Sequence, residues 1–202
     1  MATTASPYGL KAVNHIGGTP YAGSTRLLPI VSGYATNIYN GSIVQIAAAT
    51  GTVEIVVTDG DAGGGAVFPA GVIGVFVGCT YTDPNSGNIL FANNWPTGTV
   101  AADALAYVVD DPAAIFQVQA NGTVAQAGLG SNCFLVVQAT GTGNLSSGNS
   151  TTAAVAATVQ TAAAFKIVGF VDSPTSTVGD AFTDLLVKFN PAAHAYTNGL
   201  GI

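Results

Sequence analysis

The sequence predicts an all-β protein: a single β-barrel or β-sandwich-like domain with an extended N-terminal arm, long loops and little helix. Three observations carry this expectation. Apolar residues recur mostly with a period of two. Turn residues return at intervals of roughly 8–15 residues. No stretch carries the long 3.6-residue apolar period of an amphipathic helix. The length of 202 residues suits one domain of this class. Residues 1–35 differ in texture, being rich in Gly, Pro, Thr and Tyr, and read as the arm. Residues 36–202 read as the β-rich domain.

The elements follow in order. Asn40-Gly41 precedes Ser42–Ile46, and Thr50-Gly51 precedes Thr52–Thr58. These two β-branched runs read as hairpin partners. Asp59–Gly65 is a glycine-rich turn. Val72–Tyr81 is the strongest strand, flanked and interrupted by Gly71, Gly74 and Gly78. Glycines inside a strand imply a bend, a bulge or a close backbone approach. Asp83-Pro84-Asn85-Ser86-Gly87 is a turn, because Pro presets φ while Asn and Gly tolerate positive φ. Asn88–Phe91 returns from it, and Trp95–Gly98 turns again. Ala104–Val109 is a strand closed by Asp110-Asp111-Pro112, and Ile115–Gln119 alternates until Asn121-Gly122. Cys133–Gln138 is a compact apolar strand, and Thr140–Thr152 reads as a polar loop. The run Ala153–Ala164 pits the helix preference of Ala against Thr and Val, and reads as loop or irregular strand with room for one helical turn. Phe165–Val171 and Asp184–Phe189 complete the set.

Composition excludes several functions. Four Lys or Arg and ten Asp or Glu are the only fully charged side chains, for a net charge of −6. A folded chain of this mass exposes roughly 8,700 Å², so charge is spread at about one group per 600 Å². A nucleic-acid partner is not expected, because phosphate binding needs several basic residues. Disorder pairs low hydrophobicity with high charge, which this chain does not do. No membrane partner is expected. The apolar run Ala66–Cys79 is short and holds Pro69 and three glycines, and the Ala-rich stretch to Phe170 is broken by Gln160, Thr161 and Lys166. The N-terminal residues lack the basic and apolar regions of a signal peptide. Cys79 and Cys133 are too few for a disulfide framework and read as small buried thiols.

Motifs for chemistry are weak. The histidines His15 and His194 are far apart in sequence, and no G-x-S-x-G nucleophile turn occurs. Gly71, Gly74 and Gly78 do not form a phosphate-binding pattern. Zinc spacings are absent. Asp59-Gly60-Asp61 begins like a calcium loop, but Ala70 stands where the bidentate Glu belongs. Asp110-Asp111 would not converge as an acid/base dyad, and beside Pro112 these aspartates read as turn formers. Asn40, Asn121, Asn144 and Asn149 begin N-x-[ST] triplets that turns and Thr-rich loops explain. The expectation is a protein with no cofactor, no metal and no enzymatic activity.

A resemblance enters on four stretches: Gly74-Val-Phe-Val-Gly-Cys-Thr-Tyr-Thr-Asp-Pro84, Trp95-Pro96, Ala106-Tyr-Val-Val-Asp-Asp-Pro112, and Val178-Gly-Asp followed by Leu185-Leu-Val-Lys-Phe189. Together they resemble the virion structural proteins of tailed bacteriophages, marine ones in particular, in which such chains are capsid decoration, or cement, proteins. The resemblance spans about residues 8–190 and rests on structural texture, so it carries no catalytic or cofactor residue. It implies a β-rich protein on the capsid exterior of the virion, made in the host cytoplasm, whose partner is the major capsid protein. Other virion roles (head fibre, tail or minor capsid protein) and an all-β carbohydrate-binding module are the alternatives.

The composition fits this implication independently. Interface cores are depleted in Lys, Glu and Asp, so a chain living in a lattice can replace charged surface with contact surface. An extended arm offers backbone for strand addition on a neighbour. Tyr8, Lys11, Tyr21 and Arg26 are the candidate capsid-contact residues of that arm. A homo-oligomer, dimer or trimer, is expected from the sparsely charged surface.

Overall fold

The structure is a computed structural model that describes residues 4–58, 68, 70–136, 142–156 and 163–201. Its strands are β1 (Lys11–His15), β2 (Arg26–Pro29), β3 (Ile38–Tyr39), β4 (Ile43–Ile46), β5 (Val53–Ile55), β6 (Val72–Thr82), β7 (Ile89–Ala92), β8 (Asn94–Trp95), β9 (Leu105–Val109), β10 (Ala114–Gln119), β11 (Asn132–Cys133), β12 (Gly143–Asn144), β13 (Asn149–Ser150), β14 (Phe165–Phe170) and β15 (Asp184–Phe189). The only helical turns among the described residues are short 3₁₀ turns at Gln126–Gly128 and Pro191–Ala193. The all-β expectation holds, in its sandwich-like form.

Two antiparallel sheets make the body. One runs β1-β10-β15-β14-β11; the other runs β2-β9-β6-β4-β5, with β7 added beside β6. Short pairs β3-β8 and β12-β13 lie outside them. The first core fills the space between the two sheets. Phe116, Phe165 and Phe189 meet there at ring separations of 5.8 and 4.6 Å, with Phe68 edge-on to Phe165. The second core lies on the opposite face of the β6 sheet. Trp95, Ile38, Ile30, Ala101 and Ala104 cover it, and Trp95 is fully buried with its ring edge-on to Tyr81.

β6 is therefore buried on both faces, which explains its nearly unbroken apolar run. Its side chains divide between the cores: Val72, Val75 and Val77 face the first, and Ile73, Phe76, Cys79 and Tyr81 face the second. Strict alternation could not produce this division. Two bulges do. Pairing with β4 steps from Gly74 to Val72, and pairing with β9 steps from Phe76 to Gly78. Each step resets the parity of the strand. The glycines permit it. Gly74 has φ of +148°, and a Cβ there would collide with the Val109 carbonyl oxygen. Gly78, at φ +145°, would meet the Ala92 carbonyl oxygen at 3.0 Å.

Residues 4–35 lie along the body of the chain itself. β1 pairs with β10 and β2 with β9, so the segment supplies an edge strand to each sheet. Gly9 and Gly41 cross in backbone contact: the Leu10 amide donates to the Gly41 carbonyl at 2.9 Å, and the Gly41 amide donates to the Phe76 carbonyl at 2.8 Å. Leu10 enters the first core.

Elsewhere the structure trims or alters the sequence reading. The strand expected over Thr52–Thr58 pairs only across Val53–Ile55. Of the strand expected at Cys133–Gln138, Cys133 pairs with Phe165, Leu135 makes a single bridge to Ala154, and residues 137 and 138 lie outside the described residues. The described part of the loop expected at Thr140–Thr152 contains the β12–β13 hairpin, seated where a Cβ at Gly143 would collide with the Tyr39 ring. Of Ala153–Ala164, the described residues fit the irregular-strand reading, since Ala154 bridges both Ala120 and Leu135. The Asp59–Gly65 turn and its calcium-like start lie outside the described residues.

The bulge geometry sets a prediction. Gly74→Ala places a methyl against a main-chain carbonyl in a conformation that suits glycine, and should cost on the order of 3 kcal/mol. Gly51→Ala, at φ +66° in open space, should cost only about 1 kcal/mol. Urea unfolding of both variants checks the difference.

Candidate functional site

The turn between β9 and β10 carries the chain from one sheet to the other, and Asp110 and Asp111 occupy it. β1 and β2 run antiparallel to the strands on either side of this turn, so residues from both meet the two carboxylates. Arg26, at the start of β2, places Nε 2.6 Å from Asp110 Oδ2. His15, at the end of β1, places Nε2 3.1 Å from Asp111 Oδ2. From the C-terminal segment, the Tyr196 hydroxyl donates to Asp110 Oδ2 at 3.0 Å, and the Arg26 guanidinium lies 5.4 Å from the Tyr196 ring centre. Asp111 Oδ1 also accepts from the Ala113 amide at 2.7 Å, which is the turn-forming role expected of it. Three remote segments thus converge on one corner.

The four arm candidates divide between two places. Arg26 and Tyr21 belong to the corner. Tyr21 packs at 5.6 Å from the His15 ring and donates its hydroxyl to the Ser24 carbonyl. Burial, helped by Asp110 and Asp111, pushes its phenol pKa up. Tyr8 and Lys11 belong instead to a groove over β10. The Tyr8 hydroxyl donates to Asp184 Oδ1 at 3.1 Å. Burial first, and the Asp184 carboxylate second, raise the Tyr8 phenol pKa, and burial also raises that of Asp184. Lys11 is exposed on β1, opposite Gln117. Tyr8, Leu10, Lys11, Asn40, Gln117 and Asn149 line an open groove of about 450 Å³. One wall is an amide network in which Asn40 Nδ2 donates to Asn93 Oδ1 at 2.7 Å and Asn93 Nδ2 donates to Asn149 Oδ1 at 3.1 Å.

Cys79 and Cys133 are buried free thiols, as the sequence suggested, and burial pushes both pKa values up to about 12. A thiol held neutral is a poor nucleophile. Among the described residues no group of three His, Cys, Asp or Glu gathers in a way that would hold a metal ion. No helix among the described residues is long and apolar enough to cross a membrane.

Sequence reasoning missed the partners of its own candidates. Asp110, close to Pro112, reads as a turn former, and its ion pair with Arg26, 84 positions away by residue number, has no local signal. Asp184 stands at the start of an alternating strand, where a polar residue signals only an end. The comparisons are silent: no protein-family model, no curated protein and no solved structure matches this chain.

His194 adds a pH-sensitive element behind the corner. It is fully buried between the Phe189 and Tyr196 rings, at 5.3 and 5.2 Å. Its Nδ1 accepts from the Tyr196 amide at 3.2 Å, while no group among the described residues stands within hydrogen-bond reach of the buried Nε2. Burial lowers its pKa; the Ile73 backbone and the Asp110 and Asp111 carboxylates only partly oppose this. The folded chain therefore resists a proton that the unfolded chain accepts near pH 6.5. Stability from this group is complete above that value and is lost as the pH falls from there toward the lower folded pKa. The raised Asp184 acts in the opposite sense, in the carboxylate range further down. The melting temperature should drop between pH 7.5 and 5.5, and His194→Gln should flatten that drop.

Proposed function

We propose that this protein is a structural component of a tailed-bacteriophage virion: a decoration, or cement, protein on the outside of the head that bridges major capsid subunits. The observation that carries the reading is the distribution of charge. The described acids sit largely at turns and strand ends, as Asp83, Asp103, Asp110, Asp111 and Asp184 do. The sheet edges between them expose apolar side chains, among them Ile16 and Leu27 of the N-terminal segment. A chain free in solution gains nothing from such edges, whereas one seated in a lattice covers them. The sequence resemblance to phage virion proteins points the same way.

In this reading the N-terminal segment has two functions. It closes both sheets of its own chain, and its outer side, with Tyr8, Lys11, Tyr21 and Arg26, faces the shell. Stabilisation follows from mass action: a protein that binds the expanded shell, and not its precursor or disassembled subunits, shifts the equilibrium toward that shell.

The test is to mix the purified protein with undecorated expanded capsids and sediment them. Co-sedimentation at saturable stoichiometry, with a rise in capsid melting temperature, is the expected outcome. Protein left wholly in the supernatant, with capsid melting unchanged, would sink the proposal.

A further inference from the structure

We propose that β7 is a self-pairing seam, through which two copies of this chain join antiparallel about a two-fold axis and extend the β6 sheet across the dimer. β7 pairs on one side with β6, from Cys79 opposite Ala92 to Thr82 opposite Ile89. No described residue pairs with its other side. Such an open row of amides and carbonyls is a template for another strand. Natural edges are usually guarded by charge, proline or a bulge. This one has none of these: β7 reads Ile-Leu-Phe-Ala, and its pairing with β6 is regular. Ile89 and Phe91 share one face and are 67% and 77% exposed.

Charge selects a second copy as the occupant. The chain is acidic overall, so identical copies repel unless they meet where charge is absent. Residues 84–102 contain no charged side chain, and β7 lies in the middle of that stretch. The nearest acids, Asp83 and Asp103, both sit at the Ile89 end: Asp103 accepts from the Thr82 amide and hydroxyl, and Thr82 is the partner of Ile89. A two-fold antiparallel pairing sets the Ile89 end of one copy beside the Ala92 end of the other. The two acidic ends then lie at least one strand length apart, roughly 13 Å for four residues. That exceeds the screening length of about 8 Å in physiological salt. A parallel pairing would bring the acids together.

The area of a stable interface has to come from more than β7. An exposed Phe offers on the order of 150 Å². β7 alone therefore falls short of the roughly 800 Å² per partner that a stable interface buries. The flanks extend it. At one end Val100, 66% exposed, borders the Asp83 turn in a shared groove. At the other, Asn93 Nδ2 donates to the Ser147 carbonyl at 3.0 Å, which fixes the β12–β13 hairpin whose Leu145 is 69% exposed. Antiparallel symmetry brings the Val100 end of each copy to the Leu145 end of its mate, so both ends of the seam gain apolar cover.

This inference stands apart from capsid binding, and its test needs no capsid. Sedimentation equilibrium of the full chain from 1 to 100 µM should show a dimer. Phe91→Asp and Ile89→Lys should each raise the dimer dissociation constant at least tenfold without changing the far-ultraviolet circular dichroism or lowering the melting temperature of the monomer. Amide exchange at residues 89–92 should slow with increasing protein concentration in the wild type and not in the variants. A wild-type monomer at 100 µM, or a dimer that survives both substitutions, would overturn the proposal.

Discussion

The rest of the structure depends on one constraint: a single strand, β6, must satisfy two hydrophobic cores at once. Its 11 residues pack against the five-stranded sheet on one face and against the Trp95 layer on the other. Period-two alternation over that length would put Ile73 and Val75 on the same side. The bulges at Gly74 and Gly78 put them on opposite sides instead, and both glycines hold backbone geometry that suits no other residue. The five-stranded sheet can only stack, and the Trp95 layer can only cap, if those two positions hold.

The corner at Asp110-Asp111 follows from the same arrangement. A sandwich needs the chain to pass from sheet to sheet, and β9 to β10 is such a passage. The N-terminal segment runs back along it, lending one edge strand to each sheet. Arg26 and His15 then meet the carboxylates of the turn, and Tyr196 brings the C-terminal segment to the same place. A partly exposed ion pair such as Arg26–Asp110 adds modest stability. Together with the Tyr196 hydrogen bond it ties the N-terminal and C-terminal segments to the β9–β10 turn.

Legibility in the sequence follows the physics of each element. Strands with local alternation or dense β-branching were readable: β6, β9, β10, β14 and β15 lie where the pattern placed them. So was the Asp83–Gly87 turn, where the Asp83 carboxylate accepts from the Asn85 and Ser86 amides at 3.1 and 3.2 Å. The meaning of Gly74 and Gly78 is half readable: interior glycines imply a bend, a bulge or a close backbone approach, but the two cores that demand the bulges leave no local signal. β1 and β2 were not readable. Lys-Ala-Val-Asn-His and Arg-Leu-Leu-Pro carry little strand propensity, and their pairing comes from β10 and β9, more than 70 residues away by number. The β12–β13 hairpin was hidden for a related reason. Its strands are two residues each and are held by Tyr39 and Asn93 rather than by their own pattern. Of the candidate site, residue types were legible and partners were not.

Function and fold meet in the scarcity of charge. A strand buried on both faces needs apolar residues at nearly every position, and the described acids sit largely at turns and strand ends. The first of these follows from β6 acting as the shared wall. Native-state hydrogen exchange tests this most directly. The Phe76 amide, bonded to the Ser42 carbonyl at 2.9 Å in the middle of β6, should exchange only through global unfolding, with an opening free energy equal to that from denaturant. Amides of the edge strand β1 should open well below that limit. Exchange of Phe76 through local opening, as readily as at the β1 edge, would contradict the account.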